Sequence, residues 1–88
     1  LQQNYPNPFN PLTSIKYDLP NISMVNISVY NMIGRKVKTL VNGIQNPGFK
    51  TVQWNAKNEF NRPVSAGLYI YTIQADGFKE TKRMILLK

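Results

Sequence analysis

The chain has 88 residues and a net charge of +7, with 11 lysines and arginines, four aspartates and glutamates, and no cysteine or histidine. Such a chain has no disulfide, no thiolate or imidazole metal site, and no histidine to act as a catalytic base. Its apolar runs fall far short of the roughly 20 residues that a membrane-spanning helix needs. We predict one domain over residues 1–88 without a membrane span, and we expect it to be part of a longer protein because it begins with Leu1.

Residues 1–12, the lead-in, are rich in asparagine and proline. Each proline pushes the preceding residue towards extended or turn geometry, which excludes a helix. Tyr5 and Phe9 are apolar anchors in this segment. We therefore predict an ordered lead-in with both aromatic rings lodged against the domain. An ordinary interdomain linker is the alternative.

The rest of the chain shows the period-two alternation of apolar and polar residues that is typical of half-buried strands. Turn or breaker residues at Asn31–Gly34, Asn42-Gly43, Pro47-Gly48 and Asp76-Gly77 separate these segments. About six or seven strands spaced in this way predict an all-β fold, an immunoglobulin-like antiparallel β-sandwich of about seven short strands. A small barrel is the alternative. Trp54 is expected at the centre of the core, with these neighbours: Ile27, Val29, Tyr69 and Ile73.

The residues that catalysis or metal binding needs do not cluster. The four carboxylates, Asp18, Glu59, Asp76 and Glu80, form neither a catalytic pair nor a calcium loop, and the serines have no histidine to activate them. We predict that the protein is not an enzyme and uses no cofactor or metal.

The excess of lysine is compatible with nucleic-acid binding, but its placement favours another interpretation. Lysines such as Lys16, Lys36, Lys38 and Lys50 alternate with apolar residues, as on the solvated faces of strands. Exposed lysines also prevent strands from pairing edge to edge between molecules. We expect no nucleic-acid partner.

The final strand is apolar on both faces near its end. Met84 and Leu86 point one way, whereas Ile85 and Leu87 point the other. A strand buried on both sides has this pattern. The alternative is an apolar terminus, flanked by basic residues, that is presented to a partner by strand addition.

Four blocks of sequence occur in an order that resembles a known family. They are 1–13, 29–37, Gly67-Leu68-Tyr69 and the terminal segment 82–88. Together they resemble the C-terminal sorting domains of proteins exported by the type IX secretion system of Bacteroidota, over essentially the whole chain. The sequence departs from the family pattern after Trp54, where Ala56 replaces a usual glycine and Asn61 a frequent one.

The resemblance implies a recognition module joined to an N-terminal cargo domain. Family members are read in the periplasm by the outer-membrane translocon, and many are removed by a sortase-like peptidase as the cargo is secreted or fixed at the cell surface. The alternative is a structural or adhesive immunoglobulin-like module at the end of a secreted surface enzyme. A sorting signal is expected to end the polypeptide at or near Lys88, whereas a spacer has no such restriction.

We predict that recognition depends on the terminal segment and on the strand beside it. Gly67 and Tyr69 are expected to shape that neighbouring strand. Basic side chains would contact acidic groups on the receptor, and apolar ones would lie along its surface. These predicted contacts are Lys82, Arg83, Lys88, Met84 and Leu86.

Overall fold

A computed structural model describes residues 1–87, and the predicted Lys88 contact lies outside this range. Within it the chain forms strands and no helix, so the predicted all-β class is confirmed. Residues 1–87 form six strands instead of about seven. They are β1 (Thr13–Leu19), β2 (Ser23–Tyr30), β3 (Lys36–Gln45), β4 (Gly48–Trp54), β5 (Gly67–Ala75) and β6 (Phe78–Leu86).

The strands form two antiparallel sheets that pack face to face as an immunoglobulin-like sandwich. One sheet has the order β3-β2-β5-β6, and the other consists of β1 and β4. The expected alternation is clearest in β1, where Ile15, Tyr17 and Leu19 are buried and their polar neighbours are not, and it is lost in the bulged part of β3. Because one face of each sheet is buried and the other is solvated, the alternation predicted from the sequence corresponds to inside and outside.

The core is divided into two clusters, and Trp54 belongs to only one of them. Val29 and Tyr69 share its cluster, as predicted. Ile27 and Ile73 lie instead in the second cluster, so that part of the prediction is wrong. The reason is position along the sandwich: Trp54 is the last residue of β4 and pairs with Thr13, which places the indole at one end of the sheets.

Strand β3 continues through Asn42-Gly43, where the sequence predicted its end. Asn42 pairs with Asn26, and Gly43 pairs with Val25. An Asn-Gly pair ends a strand only when the chain turns back there. Here β2 is long enough to satisfy the backbone beyond that point, and the irregularities of β3 are instead two bulges near Leu40 and Val37.

Two residues with unusual backbone geometry lie where the sequence departs from the pattern of the family that it resembles. Ala56 has φ 62° and Asn61 has φ 61°, both in the left-handed region where glycine is favoured. The loop therefore adopts this backbone conformation at both positions without glycine. The predicted Asp76-Gly77 turn is also present, with φ 45° and 81°, the positive values that a two-residue hairpin turn of type I′ requires.

Candidate recognition site at the C-terminal strand

Strand β6 lies at the edge of the four-stranded sheet, so only one of its sides is paired with another strand. Tyr69 of β5 pairs with Met84, and Gly67 pairs with Leu86. Backbone groups alternate in direction along a strand, and the N–H and C=O groups of Arg83, Ile85 and Leu87 therefore point away from β5. An edge of this kind is open to another chain unless something covers it.

The lead-in covers the C-terminal half of that edge. The backbone at Phe9 forms a parallel bridge with β6. The Phe9 N–H donates to the Ile85 carbonyl at 3.0 Å, and the Phe9 carbonyl accepts the Leu87 N–H at 2.8 Å. The Ile85 N–H donates to the Asn7 Oδ1 at 2.9 Å. Gln3 reaches the Arg83 carbonyl with its Nε2 at 2.6 Å. The backbone edge from 83 to 87 is therefore largely occupied by the protein's own chain.

The same lead-in is bonded to the other sheet. Tyr5 and Ser14 of β1 exchange both backbone hydrogen bonds at 2.9 Å, and the Gln2 N–H donates to the Lys16 carbonyl at 2.9 Å. The lead-in thus joins the edges of the two sheets and closes one side of the sandwich.

Beneath the lead-in lies a buried polar network. The Asn4 backbone N–H donates to the Tyr71 hydroxyl at 2.8 Å, and that hydroxyl donates to the Gln2 carbonyl at 2.9 Å. The Asn4 side chain donates to the Thr13 Oγ1 at 3.0 Å, which donates in turn to the Pro6 carbonyl at 2.9 Å. No buried side-chain nitrogen or oxygen in residues 1–87 lacks a partner. Burial raises the pKa of Tyr71 and outweighs the lowering effect of the Asn4 hydrogen bond.

Only one of the two aromatic anchors predicted in the lead-in is buried. Phe9 is 1% exposed and packs against Trp54 with ring centroids 5.8 Å apart. Tyr5 is 80% exposed, so its predicted burial is wrong. Tyr5 is held through its backbone pairing with Ser14, which leaves its ring on the solvent side.

Trp54 connects this anchor to the predicted site residue Tyr69. Their rings meet edge to face at 5.3 Å, a favourable aromatic geometry. Both polar atoms are satisfied nearby: the indole N–H donates to the Lys57 carbonyl at 2.9 Å, and the Tyr69 hydroxyl donates to the Ser65 carbonyl at 2.6 Å. Burial raises the pKa of Tyr69. Tyr69 therefore supports β6 from inside the core.

The buried face of the terminal segment is opposite to the one that the proposed contacts require. Met84 and Leu86 are fully buried in the Trp54 cluster, so the expectation that they lie along a receptor surface is not met by the folded domain. Ile85 and Leu87 are exposed instead, by 43% and 49%. Nor is the strand buried on both sides, because its outer face is open to solvent. Both faces carry apolar residues, and the sequence contained no signal to decide between them.

The remaining predicted site residues within 1–87 lie around this strand. Arg83 is exposed, and Lys82 is half-buried with its Nζ 4.0 Å from the Glu80 carboxylate. Gly67 has φ 146°, a conformation that side-chain-bearing residues rarely adopt. The roles of Asn4 and Tyr71 were missed because these residues lie 67 positions apart in the chain, and the role of Thr13 was missed because its hydrogen bonds depend on how the lead-in folds.

The chain matches a protein-family model over almost its whole length. Residues 3–87 match the model of the secretion system C-terminal sorting domain, and the chain belongs to this family. It is the C-terminal sorting signal of type IX secretion, which directs an attached cargo protein across the outer membrane, to the cell surface or beyond. Sorting domains of this family are not catalytic. No curated protein sequence matches the chain.

Solved structures share the fold. The chain aligns over 98% of its length with PorZ, an essential bacterial surface component of the type IX secretion system of Porphyromonas gingivalis, with TM-score 0.70 and 17% identity. It aligns over 97% with dimeric latent PorU from the same organism, with TM-score 0.76 and 16% identity. It covers only 11% and 9% of those two chains. FlgD from P. aeruginosa aligns with 84% of this chain and 58% of its own, at TM-score 0.65 and 23% identity.

Residues 1–87 contain no helix of the length and hydropathy that crossing a bilayer demands. In the same range, no three acidic side chains come together as a metal ion would require.

Proposed function

We propose that the outer-membrane translocon reads this domain in its folded form, in the periplasm. The cargo is attached on the N-terminal side and crosses the inner membrane by a separate signal. A sortase-like peptidase then removes the domain, and the cargo is released or stays at the cell surface. Membership of the sorting-domain family supports this route. The domain itself performs no catalysis and acts as a substrate of the machinery.

One observation carries the proposal that a folded surface is read. The terminal segment is held on both sides, by the core contacts of Met84 and Leu86 and by the lead-in bonds to Ile85 and Leu87. Strand addition at this part of the edge would require displacement of the lead-in. The exposed side chains of the segment are available without any such change. We therefore assign direct contact to the side chains of Arg83, Ile85 and Leu87.

The predicted recognition residues then divide into two groups. Met84, Leu86, Gly67 and Tyr69 act through the fold by fixing the position of β6. Lys82, Arg83 and Lys88 supply positive charge for acidic groups on the receptor. Charged groups at the rim of an interface contribute mainly to partner choice and to the rate of encounter.

The position of the lead-in also bears on cleavage. Peptidases need extended and accessible backbone, whereas Gln2, Tyr5 and Phe9 are bonded to neighbouring strands through their backbone groups. We place the processing site upstream of the lead-in. Mass spectrometry of the released cargo locates the cut, and a new cargo terminus within residues 2–9 would contradict this placement.

The proposal is tested by fusing residues 1–88 to a periplasmic reporter in a host that has the secretion system. The test variant reverses three charges, Lys82→Glu, Arg83→Glu and Lys88→Glu. A matched control reverses three charges elsewhere, Lys16→Glu, Lys50→Glu and Arg62→Glu. Both variants have the same net charge, so a difference between them reports on position.

Export of the parent and of the control, with loss of export of the test variant, is the expected result. Parental export of a folded test variant would show that the basic part of the model is wrong. Failure of the parental fusion to leave the periplasm would favour a structural or adhesive module instead.

A further inference from the structure

The outer face of the four-stranded sheet carries a row of side chains that crosses all four strands. Lys36 of β3 pairs with Tyr30 of β2, and Tyr30 pairs in turn with Ile70 of β5. Ile70 pairs with Arg83 of β6. Directly paired residues hold their side chains on the same face, about 4.5–5.5 Å apart. The row therefore has a cation at each end and two apolar side chains between them.

A second apolar pair lies beside this row at the end of β6. Leu68 pairs with Ile85, and both side chains lie on the same outer face. Leu68, Tyr30 and Ile70 are half-buried, and Ile85 is exposed. We call the surface formed by these residues the outer patch: Tyr30, Lys36, Leu68, Ile70, Arg83 and Ile85.

The middle of the same face is polar and bounds the outer patch. The adjacent row includes Ser28, Thr72 and Thr81, with the two threonine hydroxyls hydrogen-bonded at 3.0 Å. The row beyond it contains asparagine, glutamine and lysine side chains. Met24 and Ile44 form a separate exposed pair at the far end, without a cation paired in their row. The outer patch is thus a distinct surface at the end of the sheet that holds the terminal segment.

The two cations of the outer patch have no acidic partner within residues 1–87. The side-chain ion pairs in that range join Lys38 to Glu59 and Lys82 to Glu80. The other two carboxylates lie elsewhere, on β1 of the second sheet and in the turn at the opposite end of β5. Residues 1–87 therefore do not neutralise the charge of the outer patch. Its complement is a surface with an apolar centre flanked by carboxylates.

We propose that the outer patch docks a protein of the secretion machinery that presents such an acidic-flanked apolar surface. This inference rests on the proposed function and extends the recognised surface from the terminal segment to all four strands of the sheet. Contact at Tyr30 and Ile70 excludes water and supplies affinity. Lys36 and Arg83 set the orientation and reject basic surfaces.

The first test places a negative charge at the centre of the outer patch, as Ile70→Glu in the reporter fusion. Gln74→Glu is the matched control, because it adds the same residue to the same face of the same strand, outside the patch. Loss of one central contact is expected to lower export about tenfold, which corresponds to about 1.4 kcal/mol of binding energy. The control is expected to stay within about twofold of the parent, as contacts outside the patch are near neutral.

A second variant is needed because Ile70 is half-buried, and a glutamate there can unfold the domain. Lys36→Glu changes an exposed end of the row and leaves the terminal segment untouched, and Lys16→Glu on the other sheet is its control. Unfolding midpoints of all four purified variants are measured alongside export. We expect Lys36→Glu to keep the parental midpoint and to lower export about threefold to tenfold, in line with loss of one interfacial charge.

The outcomes separate the two proposals. If the parent is exported and Lys36→Glu and folded Ile70→Glu are exported at the parental rate, the outer patch is not a docking surface and the sorting function stands. If the parent is not exported, the proposed function itself fails. Binding of the purified variants to phosphatidylglycerol vesicles is measured as well. If the variants change only this binding and leave export unchanged, the patch contacts lipid and the protein-docking inference is overturned.

Discussion

The backbone N–H of Asn4 donates a hydrogen bond of 2.8 Å to the hydroxyl of Tyr71, a residue 67 positions away in the centre of β5. This contact fixes the lead-in on the core, because the same hydroxyl also donates to the Gln2 carbonyl. Both sides of the bond are buried from solvent. The lead-in is therefore part of the folded unit through a specific polar contact as well as through apolar packing.

Tyr71→Phe is expected to lower the free energy of unfolding by about 1–3 kcal/mol, because the buried Asn4 N–H loses its acceptor. Urea unfolding followed by circular dichroism measures the change. Tyr30→Phe is the control, since Tyr30 lies half-buried on the outer face, and its effect is expected to stay within about 0.5 kcal/mol. Equal stability of Tyr71→Phe and the parent would contradict the assigned role of the hydroxyl.

Truncation of the two lead-in aromatics is expected to give very different results. Phe9→Ala removes a buried ring that packs on Trp54 and is expected to cost about 3–5 kcal/mol. Tyr5→Ala removes an exposed ring and keeps the backbone pairing with Ser14, so about 0.5 kcal/mol or less is expected. Chemical denaturation of both variants measures the two losses in the free energy of unfolding. Similar losses for the two would mean that the lead-in is not anchored through Phe9.

Neighbouring leucines test which face of β6 is inward. Leu86→Ala is expected to cost about 2–5 kcal/mol because it leaves a cavity in the Trp54 cluster. Leu87→Ala is expected to cost less than about 1 kcal/mol, since that side chain is half exposed. Unfolding midpoints provide the comparison, and the reverse order would show that the strand packs with its other face inward.

Trp54→Ala is expected to cost about 3–5 kcal/mol through loss of the buried indole and of its contacts with Phe9 and Tyr69. That is a large part of the stability of a small domain. Phe49→Ala on the same strand is the control, because its ring is exposed. A melting temperature of Trp54→Ala within a few degrees of the control would rule out a central role for the indole.

Stability is expected to fall at alkaline pH. Burial raises the pKa values of Tyr17, Tyr69 and Tyr71 above the ordinary value of 10.0. Above that pH the unfolded chain releases these protons before the folded domain does, so the unfolded state is favoured progressively. Below pH 10.0 the three tyrosines are protonated in both states, so their contribution to the free energy of unfolding is fully present and constant.

The stability difference between the parent and Tyr71→Phe isolates one tyrosine from all other titrating groups. This difference is expected to shrink as the pH rises above about 10. In that range unfolding of the parent releases the Tyr71 proton, whereas the variant has no phenol proton at this position. Urea unfolding of both proteins from about pH 8 to about pH 11 measures it. A difference that stays constant or grows over this range would contradict the raised pKa of Tyr71.

The sequence determined the all-β class and the approximate position of each strand, because a period of two and the turn residues are local properties. The turns at Pro47-Gly48 and Asp76-Gly77 were predicted for this reason, and so was the alternation in β1. The burial of Trp54 followed from its size and apolar character. The blocks of family resemblance extended this local information to the sorting function, which the family match confirms.

Which of two equivalent faces or aromatic anchors is buried depends on long-range packing, which the local pattern does not show. Alternation divides β6 into two apolar faces without stating which one meets the other sheet, and it treats Tyr5 and Phe9 alike. The continuation of β3 through Asn42-Gly43 and the bond between Asn4 and Tyr71 likewise depend on pairing between distant residues. Such pairing is set by the closure of the whole sandwich, since backbone groups and apolar surface must be satisfied together, and this is a condition that no local stretch of sequence expresses.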